Sequence, residues 1–241
     1  MALKLFVDFD GTVTTRDVGN AFFRRFGGTV CDGLVHEYRD GKISAQECFR
    51  REAAAIGRLP VEEAEAFFRE QQVSPGFDDF VGFCRARGIE FHIVSDGLDY
   101  YIGRILAIND IEGVSVFANR LTLSGAEDGS ATLSVSFPYG TAECDRCACC
   151  KRNILLTKAG EEDVIGYIGE GYSDRCAVQY ADIVFAKDEL QKYCQQENIS
   201  YYVYDDFHDV VARLEQLVAR KTLRKRRRAE IKRREAFMSE A

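Results

Sequence analysis

The chain has 241 residues, 46% hydrophobic and 29% charged, which is enough for one large domain or a core with a modest insertion. No apolar run reaches the roughly 18 residues of a membrane span, and the start lacks the charged-then-apolar pattern of a secretory leader, so a cytoplasmic protein with no membrane partner is expected. The net charge of −7 is uneven: residues 220–241 set ten basic residues against Glu230, Glu235 and Glu240, so the body before them is strongly acidic. An acidic body argues against nucleic acid as the main ligand and leaves only the basic tail for an anionic surface.

Along the chain, short apolar strands alternate with amphipathic helical stretches, the pattern of a doubly wound, Rossmann-like parallel sheet in an α/β protein. "LKLFVDF" is the first strand, and it ends in Asp8 and Asp10, one residue apart. Carboxylates at the end of a buried strand are costly unless a cation or a proton compensates them. Residues 16–74 contain no convincing strand but carry helical periodicity in "VGNAFFRRF", "CDGLVHEY", "AQECFRREAAAIG" and "VEEAEAFFREQ", and read as a helical insertion. "PGFDDFVGFCRARG" follows as a helix with Phe77, Phe80, Val81 and Cys84 on one stripe and Gly88 as its stop.

"IEFHIVSDG" is the next strand, and Tyr100 and Tyr101 open a helix beside its end, placed either to line a pocket or to pack the core. Residues 113–143 look like a small β-excursion around a Gly-Ala-Glu-Asp-Gly-Ser turn. "DVIGYIGEG", "ADIVFAK" and "ISYYVYDD" are further strands, separated by helical pieces around 151–160, 174–181 and 188–197. After "FHDVVARLEQLVA" a helix-like pattern continues past Leu223 as mostly charge, which reads as a solvated helix end.

The nine cysteines are odd in number and do not form a secreted disulfide framework. Cys31, Cys48, Cys84, Cys176 and Cys194 read as small buried hydrophobes. Cys144, Cys147, Cys149 and Cys150 form two overlapping Cys-x-x-Cys pairs, which either hold a structural Zn²⁺ or simply pack before the helix that follows. His36, His92 and His208 lie in separate segments and read as structural or surface residues.

Ligands of an open parallel sheet collect at the carboxyl ends of its strands. There Asp8 and Asp10 meet Ser95 and Asp96, and Glu170 and Asp174. Five carboxylates at one sheet end repel each other, and an all-oxygen set of this kind suits Mg²⁺.

"DFDGTVT", the serine of "VSDG", Lys151 and "GEGYSD" resemble, in order and on the expected strand ends, the four motifs of haloacid dehalogenase-like phosphatases across most of residues 3–187. The resemblance implies a haloacid dehalogenase-like core over 1–15 and 75–212, a small helical cap over 16–74, and a C-terminal helix and basic tail over 213–241. It implies phosphomonoester hydrolysis of a small phosphorylated metabolite, with Asp8 as nucleophile through an aspartyl-phosphate and Asp10 as general acid and base. Ser95 and Lys151 would bind phosphate with the backbone of Gly11 and Thr12, and Asp96 and Gly97 of the same loop are counted beside them. Mg²⁺ would be held by Asp8, the Asp10 carbonyl, Glu170 and Asp174. The family usually has Asp where Glu170 stands, which leaves a catalytically weak phosphate-binding or regulatory protein as the other reading.

A cap directly after the first motif resembles the phosphoserine phosphatase-like subgroup, and phosphoserine is an alternative substrate. The segment that supplies a carboxylate-binding arginine there aligns with Glu52, with Arg50 and Arg51 just before it. Asp17 stands either where those enzymes place a substrate-facing acid or as a helix N-cap. The cysteine-rich run leading into Lys151 is similar to that of the methionine-salvage methylthiopentenyl-phosphate phosphatases and the phosphocholine/phosphoethanolamine phosphatases. No feature of the sequence sets the oligomeric state.

Overall fold

The computed structural model describes residues 2–125, 128–141, 146–220 and 223–239. The central strand β1 (Leu3–Val7) leads into a tight turn over Phe9–Val13, and the chain then leaves the core for helices α1 (Val18–Gly27), α2 (Val30–Arg39) and α3 (Ala45–Ile56). A two-residue strand β2 (Leu59–Pro60) and helix α4 (Val61–Arg69) complete this excursion. It leaves and returns through a paired neck, with an antiparallel bridge between Thr14 and Val73 and the Ser74 N–H donating to the Val13 carbonyl at 2.7 Å. The sequence reading of 16–74 as purely helical is therefore corrected at β2, which is too short to carry a period.

Helix α5 (Phe77–Arg87) buries Phe77, Phe80, Val81 and Cys84 and stops at Gly88, whose φ of +61° suits glycine. Strand β3 (Glu90–Leu98), helix α6 (Asp99–Ile108) and the hairpin β4 (Ser115–Gly125) and β5 (Ser130–Ser136) follow. Helix α7 (Lys151–Lys158) precedes β6 (Val164–Gly169), β7 (Ile183–Ala186), α8 (Asp188–Gln196), β8 (Tyr202–Val203), α9 (Phe207–Ala219) and α10 (Arg227–Ser239). The expected helix at 174–181 is instead two short 3₁₀ turns, Tyr172–Asp174 and Ala177–Gln179.

The eight strands form one sheet in the order β2-β5-β4-β3-β1-β6-β7-β8. From β4 to β8 the neighbours run parallel, while β5 and β2 add antiparallel pairings, so the sheet is mixed rather than wholly parallel. β-Branched and aromatic residues buried on both faces give two cores, one around Phe9, Phe22, Phe68 and Phe80 and one around Phe6, Tyr167 and Val184. The β4–β5 excursion braces the helical excursion, because Leu59 pairs with Ala131, Phe49 packs against Phe137, and Arg58 reaches Ser130 and Asp128.

The basic tail is not a solvated continuation of α9. Arg226 donates to the carbonyls of Val178, Gln179 and Ala181, and Arg233 pairs with the buried Asp182 at 3.0 Å. These partners lie 45–51 residues away in sequence, where no local pattern could announce them. Among the described residues no helix is long and apolar enough to cross a membrane.

Candidate active site

Strand β1 delivers Asp8 to the sheet's carboxyl end with 5% of its surface exposed. The chain must then turn sharply, and Gly11 takes φ +72°, a left-handed value that a side chain would strain. A Cβ at position 11 would also lie 3.1 Å from the Glu170 carboxyl, so the turn and Glu170 are in close approach. Thr12 donates its hydroxyl to Asp8 Oδ2 at 3.3 Å.

Helix α7 carries Lys151, 1% exposed, with Nζ 2.6 Å from both Asp8 Oδ1 and Asp174 Oδ1 and 3.0 Å from Ser173 Oγ. Burial works against the lysine's charge, but Asp174 and Asp8 outweigh it and raise its pKa well above the usual value. Asp8 is pushed up by burial first and by Asp174 next, with Lys151 opposing. The lysine is thus the cation that makes two buried carboxylates tolerable.

Asp10 is held on both oxygens. Its Oδ1 accepts the Val18 and Gly19 N–H groups at 3.0 Å each, and its Oδ2 accepts the Tyr101 hydroxyl at 2.6 Å and Ser95 Oγ at 3.4 Å. Burial, then Asp17, raises its pKa to about 7, which suits a group that must both give and take a proton near neutrality. Ser95 in turn accepts the Gly97 N–H at 2.9 Å. Position 97 has to be glycine, since a Cβ there would overlap the Tyr101 hydroxyl and come within 2.6 Å of Asp10 Oδ2.

Two expected roles change. Asp96 turns Oδ1 onto the backbone N–H groups of Ala148 and Cys149, at 2.8 and 2.7 Å, so its side chain fixes the approach to Lys151 instead of meeting a phosphate that it would repel. Asp174 spends both oxygens, one on Lys151 and Tyr167 and the other on the N–H groups of Glu170 and Gly171 at 3.0 Å each. Among the described residues no three His, Cys, Asp or Glu side chains converge as a metal-binding group. What remains for a cation is the Asp8 and Glu170 carboxylates and the Asp10 carbonyl.

That smaller set still fits Mg²⁺, which is commonly held by one or two carboxylates, waters and a substrate phosphate. The Glu170 carboxyl makes no side-chain hydrogen bond or ion pair among the described residues, and burial followed by Asp174 raises its pKa to about 7, so a cation placed beside it would offset a charge that the site leaves unbalanced.

The zinc expectation finds no support in the described part of the cysteine run, where no three candidate ligands gather. Cys149 is fully buried in the second core and bonds the Phe117 carbonyl, while Cys147 donates to Cys150, whose thiol falls to about pKa 6 chiefly for that reason. Cys144 lies outside the described residues.

A cavity of about 380 Å³ opens between these strand ends and the helices α1–α3. Phe23, Tyr38, Phe49, Asp17 and Glu52 line its helical side, whereas Arg50 and Arg51 do not. Arg50 stacks over Phe137 at 5.0 Å and Arg51 bonds Glu47 at 2.7 Å, both on the outer face. Asp17 does cap α1, accepting the Asn20 N–H at 2.8 Å, and it also faces the cavity, so its two readings coexist. The site residue whose part in it the sequence left open is Tyr101. Its place at the start of the helix that follows the Ser95 strand was the available signal, but only the fold shows that its hydroxyl meets Asp10 and does not end in the core.

Residues 5–179 match the model of the haloacid dehalogenase-like hydrolases. The chain is 29% identical over 218 residues to the 2-hydroxy-3-keto-5-methylthiopentenyl-1-phosphate phosphatase of Brevibacillus brevis, an alignment covering 89% of this chain and 96% of that one. The protein of the same description from Geobacillus kaustophilus is matched at the same identity and coverage. A substrate-bound phosphoserine phosphatase structure superposes with a TM-score of 0.66 at 19% identity, covering 88% of this chain and 98% of that one, and shares the fold. With that match spanning most of the chain and its motifs gathered at one cavity, the chain belongs to the haloacid dehalogenase-like hydrolases.

Proposed function

We propose that this protein is a Mg²⁺-dependent phosphomonoester hydrolase for a small phosphorylated metabolite. The observation that carries the reading is Lys151 Nζ, held 2.6 Å from Asp8 Oδ1, with the Asp8 and Asp10 carboxyls both lining the cavity and Asp10 anchored by Tyr101. The curated relatives are named as phosphatases of a phosphorylated methylthio-pentenyl compound, which supports a metabolite of comparable size.

Asp8 attacks phosphorus, forming an aspartyl-phosphate as the bond to the leaving oxygen breaks. Asp10 gives its proton to that leaving oxygen, then takes one from the water that attacks the aspartyl-phosphate and frees inorganic phosphate. Ser95, Lys151 and the backbone N–H group of Thr12 hold the equatorial oxygens, where charge spreads in the transition state, while the Gly11 N–H expected beside them is instead taken by the Arg16 carbonyl at 3.0 Å. Asp174 keeps Lys151 pointed at Asp8, and Asp96 fixes the chain before Lys151. Held by Asp8, Glu170 and the Asp10 carbonyl, Mg²⁺ would neutralise charge on the phosphoryl oxygens. Closure of the helical excursion over the site keeps bulk water from competing for the aspartyl-phosphate.

The test is phosphate release from a panel of small phosphomonoesters, a methylthio-sugar phosphate among them, with Mg²⁺ and with chelator. Chelator-sensitive release is expected, and Asp8→Asn abolishes it while leaving the protein folded. Release that survives either change overturns the mechanism, and silence across the panel overturns the activity.

A further inference from the structure

The reaction centre handles the phosphate, and the helical wall of the cavity handles whatever the phosphate is attached to. On that wall Glu52 is 4% exposed yet lines the cavity. Its hydrogen-bond partner is the Cys48 thiol, a weak donor, and no lysine, arginine or histidine pairs with it among the described residues. Burial, and then the field of Asp17, push Glu52 up to about pKa 8. Asp17 sits on the same wall with one oxygen committed to its helix.

The cationic side chain facing this space is Arg39, on the exposed rim, and its charge is felt at Asp17. The two arginines next to Glu52 in sequence point away, into pairs with Glu47 and Glu37 and a stack on Phe137. Phe23 and Phe49 add apolar surface to the wall, and Asn20 and Tyr38 add uncharged polar groups. A substrate arm entering here meets an under-satisfied carboxyl, a second acid, and no buried positive charge.

We infer that Glu52 is a specificity-determining residue and that, given the phosphatase reading above, the preferred phosphomonoester carries hydroxyl or ammonium donors on its carbon arm and no carboxylate. A donor from the substrate supplies the hydrogen bond that Glu52 lacks, and leaving a buried acceptor short is costly. A carboxylate in the same place shares a poorly hydrated space with two acids, so Glu52 and Asp17 can lose a proton only at a growing cost while it is bound, and that cost discriminates against it.

Competition against p-nitrophenyl phosphate turnover by the wild-type protein tests this. The competitors are phosphoethanolamine (ammonium arm), glycerol 1-phosphate (hydroxyl arm) and phosphoserine, which adds a carboxylate to the first. Phosphoserine is expected to compete at least about tenfold more weakly than phosphoethanolamine, and Glu52→Gln narrows that gap to about threefold or less. Glycerol 1-phosphate ranks with phosphoethanolamine.

Equal competition by phosphoserine, as when Arg39 captures its carboxylate, overturns this inference alone, as does a gap that Glu52→Gln leaves unchanged. The wild-type ranking stands by itself should the Glu52→Gln protein fail to fold. Absence of p-nitrophenyl phosphate turnover overturns the phosphatase reading and this inference with it.

Discussion

The Tyr101 hydroxyl donates to Asp10 Oδ2 across 2.6 Å, while the Tyr101 ring packs among Phe9, Phe22 and Phe68. The buried ring therefore fixes where the Asp10 carboxyl, the proposed acid and base, points. Tyr101→Phe keeps the packing and removes the anchor. Because proton donation matters most when the leaving oxygen is basic, alkyl phosphates should lose about tenfold in kcat, and p-nitrophenyl phosphate less than about threefold. Steady-state kinetics on both substrate types distinguish this from a structural role, which would lower both alike.

Lys151 holds apart two carboxylates that have no other cation near them among the described residues. Lys151→Met should abolish turnover and also destabilise the fold by about 3–5 kcal/mol at neutral pH, the usual cost of stranding a buried charge. The lost stability should return as pH falls, because Asp8, whose pKa burial already raises, can then take up a proton. Urea unfolding at two pH values reads both effects, and an unchanged midpoint at neutral pH would contradict the arrangement.

The gathering of the candidate site was legible because its parts obey a strand-end rule: Asp8, Ser95 and Glu170 each end or follow an apolar run, and Lys151 opens a helix after a cysteine-rich stretch. Side-chain commitments were not legible, since Asp96 and Asp174 look the same in a sequence whether they meet a ligand or a backbone N–H. The cap contact turned on register. Each residue along α3 rotates the side chain by about 100°, so Glu52 enters the cavity while Arg50 and Arg51 face out. Likewise, a run of arginines reads as solvated until the carbonyls that receive it are known.

Metal binding should depend on Glu170. Magnesium is expected to raise the melting temperature of the wild-type protein and of Glu170→Asp, and to raise that of Glu170→Ala much less. Differential scanning fluorimetry with and without Mg²⁺ reads this without any turnover. An equal magnesium shift in Glu170→Ala would remove Glu170 from the site.

The buried Glu52 sets a pH dependence of stability. Its folded pKa of about 8 lies above its ordinary value of 4.5, so the protonated form is favoured in the folded state. Its contribution is fully present below about pH 4.5 and is lost as pH rises through about 8, at most about 1.4 kcal/mol per unit of separation. Glu52→Gln cannot ionise and should flatten the decline in stability between those limits. Denaturant unfolding of both proteins from pH 5 to 9 checks this, and parallel curves would show that Glu52 is not held neutral.

The tail should contribute stability and leave the chemistry alone. Asp182 accepts the Ile165 N–H through Oδ2 and both the Arg226 N–H and the Arg233 guanidinium through Oδ1, which ties α10 to the start of β6 and β7. Arg226 closes three backbone carbonyls of the 178–181 turn that would otherwise need water. Cutting the chain after residue 223 removes both arginines and leaves Asp182 buried against nothing positive. A loss of about 3 kcal/mol is expected, which for a chain of this size lowers Tm by roughly 6–12 °C. Because none of these residues lines the cavity, kcat/KM measured well below the new Tm should stay within about twofold, the scatter expected of distant, independent sites. A truncated protein that melts where the full chain does would mean that the basic helix is only resting on the surface.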